Sequence, residues 1–130
     1  MANPNIAALT TLTGNTTYFT PTGTTAVVLL PNAAASNNVF RINQIVVANV
    51  TGTAAAATVS IYSNGSVAQG SAPSGGTAFP IANAISVPAN ASLIVVDKTT
   101  AIYLNEATSI TITSGTGSAL TYSISYELIS

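Results

Sequence analysis

The segment Leu120-Thr121-Tyr122-Ser123-Ile124-Ser125-Tyr126-Glu127-Leu128 decides the fold class. Its apolar members alternate strictly with Thr121, Ser123, Ser125 and Glu127, and a period of two puts each set on its own side of an extended chain. One side should face a core; the other, rich in hydroxyls, should face water. The same alternation sets Val59 and Ile61 against Thr58, Ser60 and Tyr62, and sets Ile110 and Ile112 against Ser109, Thr111 and Thr113. Both are expected to be half-buried antiparallel strands.

Between Val39 and Val50 the phase breaks: Phe40 and Ile42 share one parity, Ile45 and Val47 the other, with Asn43 and Gln44 between them. A β-bulge would absorb the extra residue. Turn chemistry falls at Thr51-Gly52, at Ser63-Asn64-Gly65 and from Gly115 to Ser118. Strands are predicted at 16–20, 24–30, 38–50, 55–63, 77–86, 91–97, 100–104, 108–113 and 119–129. The fold class expected is all-β: a single-domain antiparallel β-sandwich, jelly-roll-like, of roughly eight or nine short strands whose order the sequence leaves open. The core should include Ile42, Val46, Val59, Ile61, Ile110, Ile112, Tyr122, Ile124 and Tyr126, while the bulge leaves Ile45 and Val47 undecided. Ser63 to Thr77, with Gly70, Pro73, Gly75 and Gly76, reads as a long mobile loop, either an unconstrained connection or a contact surface.

Residues 1–14 are expected to form an N-terminal arm outside a sandwich of residues 15–130. Ile6, Leu9 and Leu12 are spaced by three, yet Pro4, the threonines and Gly14 make a lone helix unfavourable. Such a segment is too apolar for a solvated tail, so Pro4, Ile6, Leu9 and Leu12 are the expected partner contacts; an edge strand of the same domain is the alternative.

Charged residues are 4% of the 130-residue chain and its net charge is −1, against roughly 25% charged residues in ordinary soluble domains. The five are Arg41, Asp97, Lys98, Glu106 and Glu127; nearly all other polarity is Ser, Thr and Asn. Neutral polar side chains wet a surface without the repulsion that keeps monomers apart, which suits packing against copies or partners. Two cations cannot neutralise a run of phosphates, so neither nucleic acid nor a membrane is expected as a partner. The longest strongly apolar run, Ala26 to Leu30, is far shorter than the roughly 20 residues that span a bilayer, and Met1 to Asn5 carries no basic n-region.

Catalysis finds little to work with. Histidine and cysteine are absent, which removes the commonest general base, the usual zinc ligands and the thiolate nucleophile. A glycosidase would need a pair from Asp97, Glu106 and Glu127, each of which reads better as a solvated or locally paired charge. Arg41 is expected either at an exposed position or paired with Glu127 or Glu106. No enzyme, cofactor or metal site is expected. Four Asn-x-Ser/Thr triplets, at Asn15, Asn49, Asn64 and Asn90, are about what chance gives in such a composition. A carbohydrate platform would need exposed aromatics; tryptophan is absent, Tyr122 and Tyr126 fall on the buried side, and only one of Tyr18 and Phe19 can face a ligand.

Phe40-Arg-Ile-Asn-Gln-Ile-Val-Val-Ala-Asn-Val-Thr-Gly-Thr53 and Val87-Pro-Ala-Asn-Ala-Ser-Leu-Ile-Val-Val96 resemble segments of small virion structural proteins of tailed phages, especially cyanophages. Ile102 to Ile110, Ser125 to Ser130 and Asn5 to Gly14 extend the resemblance over most of the chain. Members often have Gly-Asp before the serine matching Ser109, where this chain has Ala107-Thr108, so a turn charge is missing. The resemblance implies a β-sandwich or jelly roll assembled in the virion after synthesis in the host cytoplasm, with no catalytic residues to carry over. A capsid decoration or cement protein is expected, bound to the major capsid protein or other virion proteins as a homo-oligomer, with a trimer the favoured form. A neck, tail or fibre-attachment component is the alternative, and a virion-displayed carbohydrate-binding module the third reading.

Overall fold

The computed structural model describes residues 7–8 and 10–130. The strands are β1 (Leu12–Phe19), β2 (Val27–Asn32), β3 (Val39–Asn49), β4 (Ala55–Tyr62), β5 (Ala78–Val87), β6 (Ser92–Val96), β7 (Ile102–Leu104), β8 (Thr108–Ser114) and β9 (Leu120–Ile129). A single 3-10 turn, Lys98–Thr100, stands between β6 and β7. The chain doubles back on itself in antiparallel pairs, β1 with β9, β2 with β8, β3 with β6, and β4 with β5. Alternate pairs then go to opposite layers. One sheet runs β1-β9-β3-β6, with β7 also on β3, and the other runs β2-β8-β4-β5. This winding is a jelly roll.

The two inner faces supply the core. Tyr122, Ile124, Ile42, Ile45, Leu29, Val59, Ile110 and Ile112 are fully buried there. The bulge in β3 lies where the phase break predicts it, the register jumping between Ile42 and Gln44 against Tyr126 and Ser125 of β9. It leaves Ile45 and Val47 inside and turns Val46 outward, so the expected burial of Val46 is corrected to half-burial. Ile61, also expected in the core, is corrected to partly buried: it lies near the end of β4 and packs against the core cluster.

Two buried asparagines tie loops to strand ends. Asn49 donates through Nδ2 to the carbonyls of Thr53 (2.7 Å) and Val87 (3.0 Å), while its Oδ1 accepts from the Thr51 amide (2.9 Å) and hydroxyl (2.7 Å). Asn32 donates to the carbonyls of Asn38 and Leu104 and accepts from Ser36. Each therefore fastens a β–β turn to a strand beyond it. Asn49→Ala would take the Asn49 side chain from the buried Val87 carbonyl and from the Thr51 amide and is expected to cost about 2 kcal/mol in urea unfolding; a loss below about 0.5 kcal/mol would show that water replaces the side chain there. Burial of Asn49 also leaves its Asn-x-Thr triplet no room for a glycan.

The last residues of the expected arm, 1–14, overlap the first strand. β1 begins at Leu12 and pairs with β9 from Ile129, and the amides of Thr10 and Thr11 both donate to the Ser130 carbonyl. Leu12 to Gly14 therefore open an edge strand that runs across the boundary drawn at residue 15, and Thr10 and Thr11 are bonded to the end of its neighbour. Pro4, Ile6 and Leu9 lie outside the described residues.

Residues 63–77, expected to be mobile, fold over the outer face of the β2-β8-β4-β5 sheet. Val28, Ser60, Tyr62, Ser109 and Thr111 point away from the core yet are buried. Gly70 and Ser71 exchange backbone hydrogen bonds with Val28, the Gly76 amide donates to the Tyr62 hydroxyl (3.0 Å), and Ser109 Oγ donates to the Asn64 carbonyl (2.8 Å). Gln69 donates to both Thr17 of β1 and the Leu29 carbonyl of β2, closing that side of the sandwich.

Candidate functional site

With one outer face covered by this loop, the outer face of the β1-β9-β3-β6 sheet is the broad surface left open. Register aligns its outward side chains in rows. Tyr18, Ser123, Val46 and Ile94 form one; Thr16, Ser125 and Gln44 form the next; Gly14, Glu127, Arg41 and Tyr103 form a third. Thr16 and Ser125 are joined hydroxyl to hydroxyl at 3.0 Å.

The bulge gives this face its relief. By inserting Asn43 it brings consecutive amide side chains, Asn43 and Gln44, beside the turn that follows β6. Asn43, Gln44, Asp97, Lys98 and Ser125 line an open depression of about 420 Å³. Asn43 Nδ2 donates to Glu127 Oε1 (2.7 Å), and the Arg41 guanidinium stands 3.8 Å from the same oxygen. This pair is partly solvated and contributes little to stability; Arg41 is half-buried and paired with Glu127, which is the second of the two expectations for it. Asn43 Oδ1 is shielded from water and accepts no hydrogen bond.

Asp97 caps the 3-10 turn. Its Oδ1 accepts from the hydroxyl and amide of Thr99 and from the amide and hydroxyl of Thr100. These bonds, the Thr99 hydroxyl's foremost, hold its carboxyl below the usual aspartate value, so it stays charged at neutral pH. Four of the five charged residues thus collect here: Arg41 and Lys98 against Asp97 and Glu127, with no net charge. Glu106 stands apart in the β7–β8 turn, where neither carboxylate oxygen meets solvent or a hydrogen-bond donor.

Among the described residues, no three His, Cys, Asp or Glu side chains converge as a metal site would require. The buried Tyr122 hydroxyl donates to the Thr113 carbonyl, and burial raises its pKa above the ordinary phenol value, which leaves it a structural neutral group. Of the expected contact residues, Leu12 is described: it opens β1 and is 54% exposed. The aromatic reading divides as alternation requires, with Phe19 packed against the core and Tyr18 outward, 70% exposed. Sequence reasoning passed over Tyr103, 49% exposed beside Arg41, because a three-residue strand is too short to show a period.

No family model, curated protein or solved structure matches the chain.

Proposed function

We propose that this chain is a non-catalytic structural module that works by packing into a repetitive assembly, as a decoration or cement protein on the outer shell of a tailed-phage capsid. The observation that carries the reading is the β5 edge. This strand, Ala78–Val87, is ten residues long and exposed over most of its length. Phe79 and Ile85 pair with Ile61 and Ala57, on the sandwich side of the sheet, yet are 59% and 42% exposed, since the five-residue β6 opposite is too short to cover them. From Ile42 to Val96 the chain has no charged residue. Soluble monomers protect such an edge with lysine, proline or bulges; here Pro80 and two register shifts are present but charge is not. A long apolar edge without charge favours association, and the occupant assigned to it is a second copy, which meets no like-charge repulsion there. Symmetry then repeats a modest contact many times over a shell.

Sedimentation of the purified chain should give a homo-oligomer, and F79K/I85K should give a folded monomer with an unchanged circular dichroism spectrum. A wild-type monomer at high concentration, or a double variant that still associates, overturns the edge contact. Counting copies per particle tests the rest: hundreds fit a decorator, whereas a few fit a neck or tail component and overturn the decoration reading.

A further inference from the structure

We propose that the outer face of the β1-β9-β3-β6 sheet is a binding site for a neutral oligosaccharide, lying diagonally from Tyr18 across the depression at Gln44 and Ser125 to Tyr103. This goes beyond the assembly role and uses a different surface from the β5 edge.

The charge balance narrows the ligand class first. Arg41 is matched by Glu127, and Lys98 stands beside Asp97 at the rim, so the face offers an anion no net attraction and a cation none either. A phosphate chain needs unpaired basic groups. A neutral ligand with many hydroxyls does not. Amides and hydroxyls both donate and accept, and a carboxylate accepts, so Gln44, Ser125 and Asp97 present the mixed set that adjacent sugar hydroxyls can satisfy.

Two exposed tyrosines supply what hydroxyl recognition lacks in water. Tyr103 stands next to Arg41 across the β3–β7 pair, and Tyr18 lies two residues along β1 from Thr16, which is bonded to Ser125 of the depression. Each ring offers an apolar surface to the C–H face of a pyranose while its hydroxyl stays wet. With three strand spacings across and four residues along, the rings stand about 20 Å apart, a span for an oligosaccharide rather than a single sugar. Extended sheets hold such rows rigidly, so little ordering is left for binding to oppose.

The test is 15N-resolved NMR titration of the full chain with neutral tetrasaccharides of gluco, manno, galacto and xylo configuration, beside sulfated and sialylated ones. At least one neutral tetrasaccharide should shift the amides of Tyr18, Gln44, Ser125 and Tyr103 together, and Tyr18→Ala and Tyr103→Ala should each weaken that binding about tenfold. F79K/I85K should leave the per-site affinity unchanged, so the site and the assembly contact can fail separately. Absence of shifts with every neutral probe, shifts with the anionic probes alone, or tyrosine variants that bind as tightly as the wild type would each overturn the proposal.

Discussion

Gly65→Ala is expected to destabilise the protein by about 3 kcal/mol, the upper end of what overpacking a filled site costs. A Cβ at position 65 would stand 2.0 Å from the Asn32 carbonyl oxygen and 2.5 Å from that of Thr108. Both are backbone atoms at the paired ends of β2 and β8, so no flexible side chain can move aside. The chain at 64–66 must lift. That breaks the bond from Ser109 Oγ to the Asn64 carbonyl and opens the covered face, where Ser109 and Thr111 are buried. A loss of this size is a large share of the roughly 5–15 kcal/mol that holds a domain folded. Gly52→Ala is the control, because nothing lies within 4 Å of its added carbon and its backbone is not left-handed; it should be neutral or gain up to about 1 kcal/mol through the unfolded chain. Urea unfolding midpoints of the two variants decide. Equal midpoints would mean that the 63–77 cover contributes nothing to stability.

This cover also marks where the sequence stops being legible. Alternation distinguishes the two sides of a strand but not what lies over each, so Ser109 and Thr111 read as wet although a loop of Gly, Ser and Pro buries them. The strands of the described residues and the β3 bulge were readable because each rests on neighbours in the chain: period two, a phase break, Gly and Asn at turns. The jelly-roll order was not, since β1 meets β9 across more than about a hundred residues of chain and β2 meets β8 across roughly eighty. β5 is the opposite case. Ala78 to Val87 has the composition of a core strand, yet two register shifts and an edge position leave it exposed. The open polar face was hidden for the same reason as the strand order: Asn43, Asp97 and Ser125 come from three distant segments, and only register unites them with Tyr18 and Tyr103.

Ile124→Ala is expected to cost about 4 kcal/mol, within the range of about 2–5 kcal/mol for emptying a filled aliphatic site. Ile124 is fully buried in β9, which is flanked on both sides, by β1 through Thr17 and by β3 through Ile45. Neighbouring strands held by their own ladders cannot close in on the vacated volume, so the cavity persists and its cost adds to the lost burial. The adjacent Ser123 faces outward, and Ser123→Ala should stay within about 0.5 kcal/mol. This contrast between consecutive positions is the energetic form of the period-two pattern in Leu120 to Leu128: the phase is right when one side of the strand carries the stability and the other does not. If Ile124→Ala costs less than about 1 kcal/mol by urea or thermal unfolding, β9 is not the centre of the core, and the inner and outer faces of its sheet would have to be exchanged.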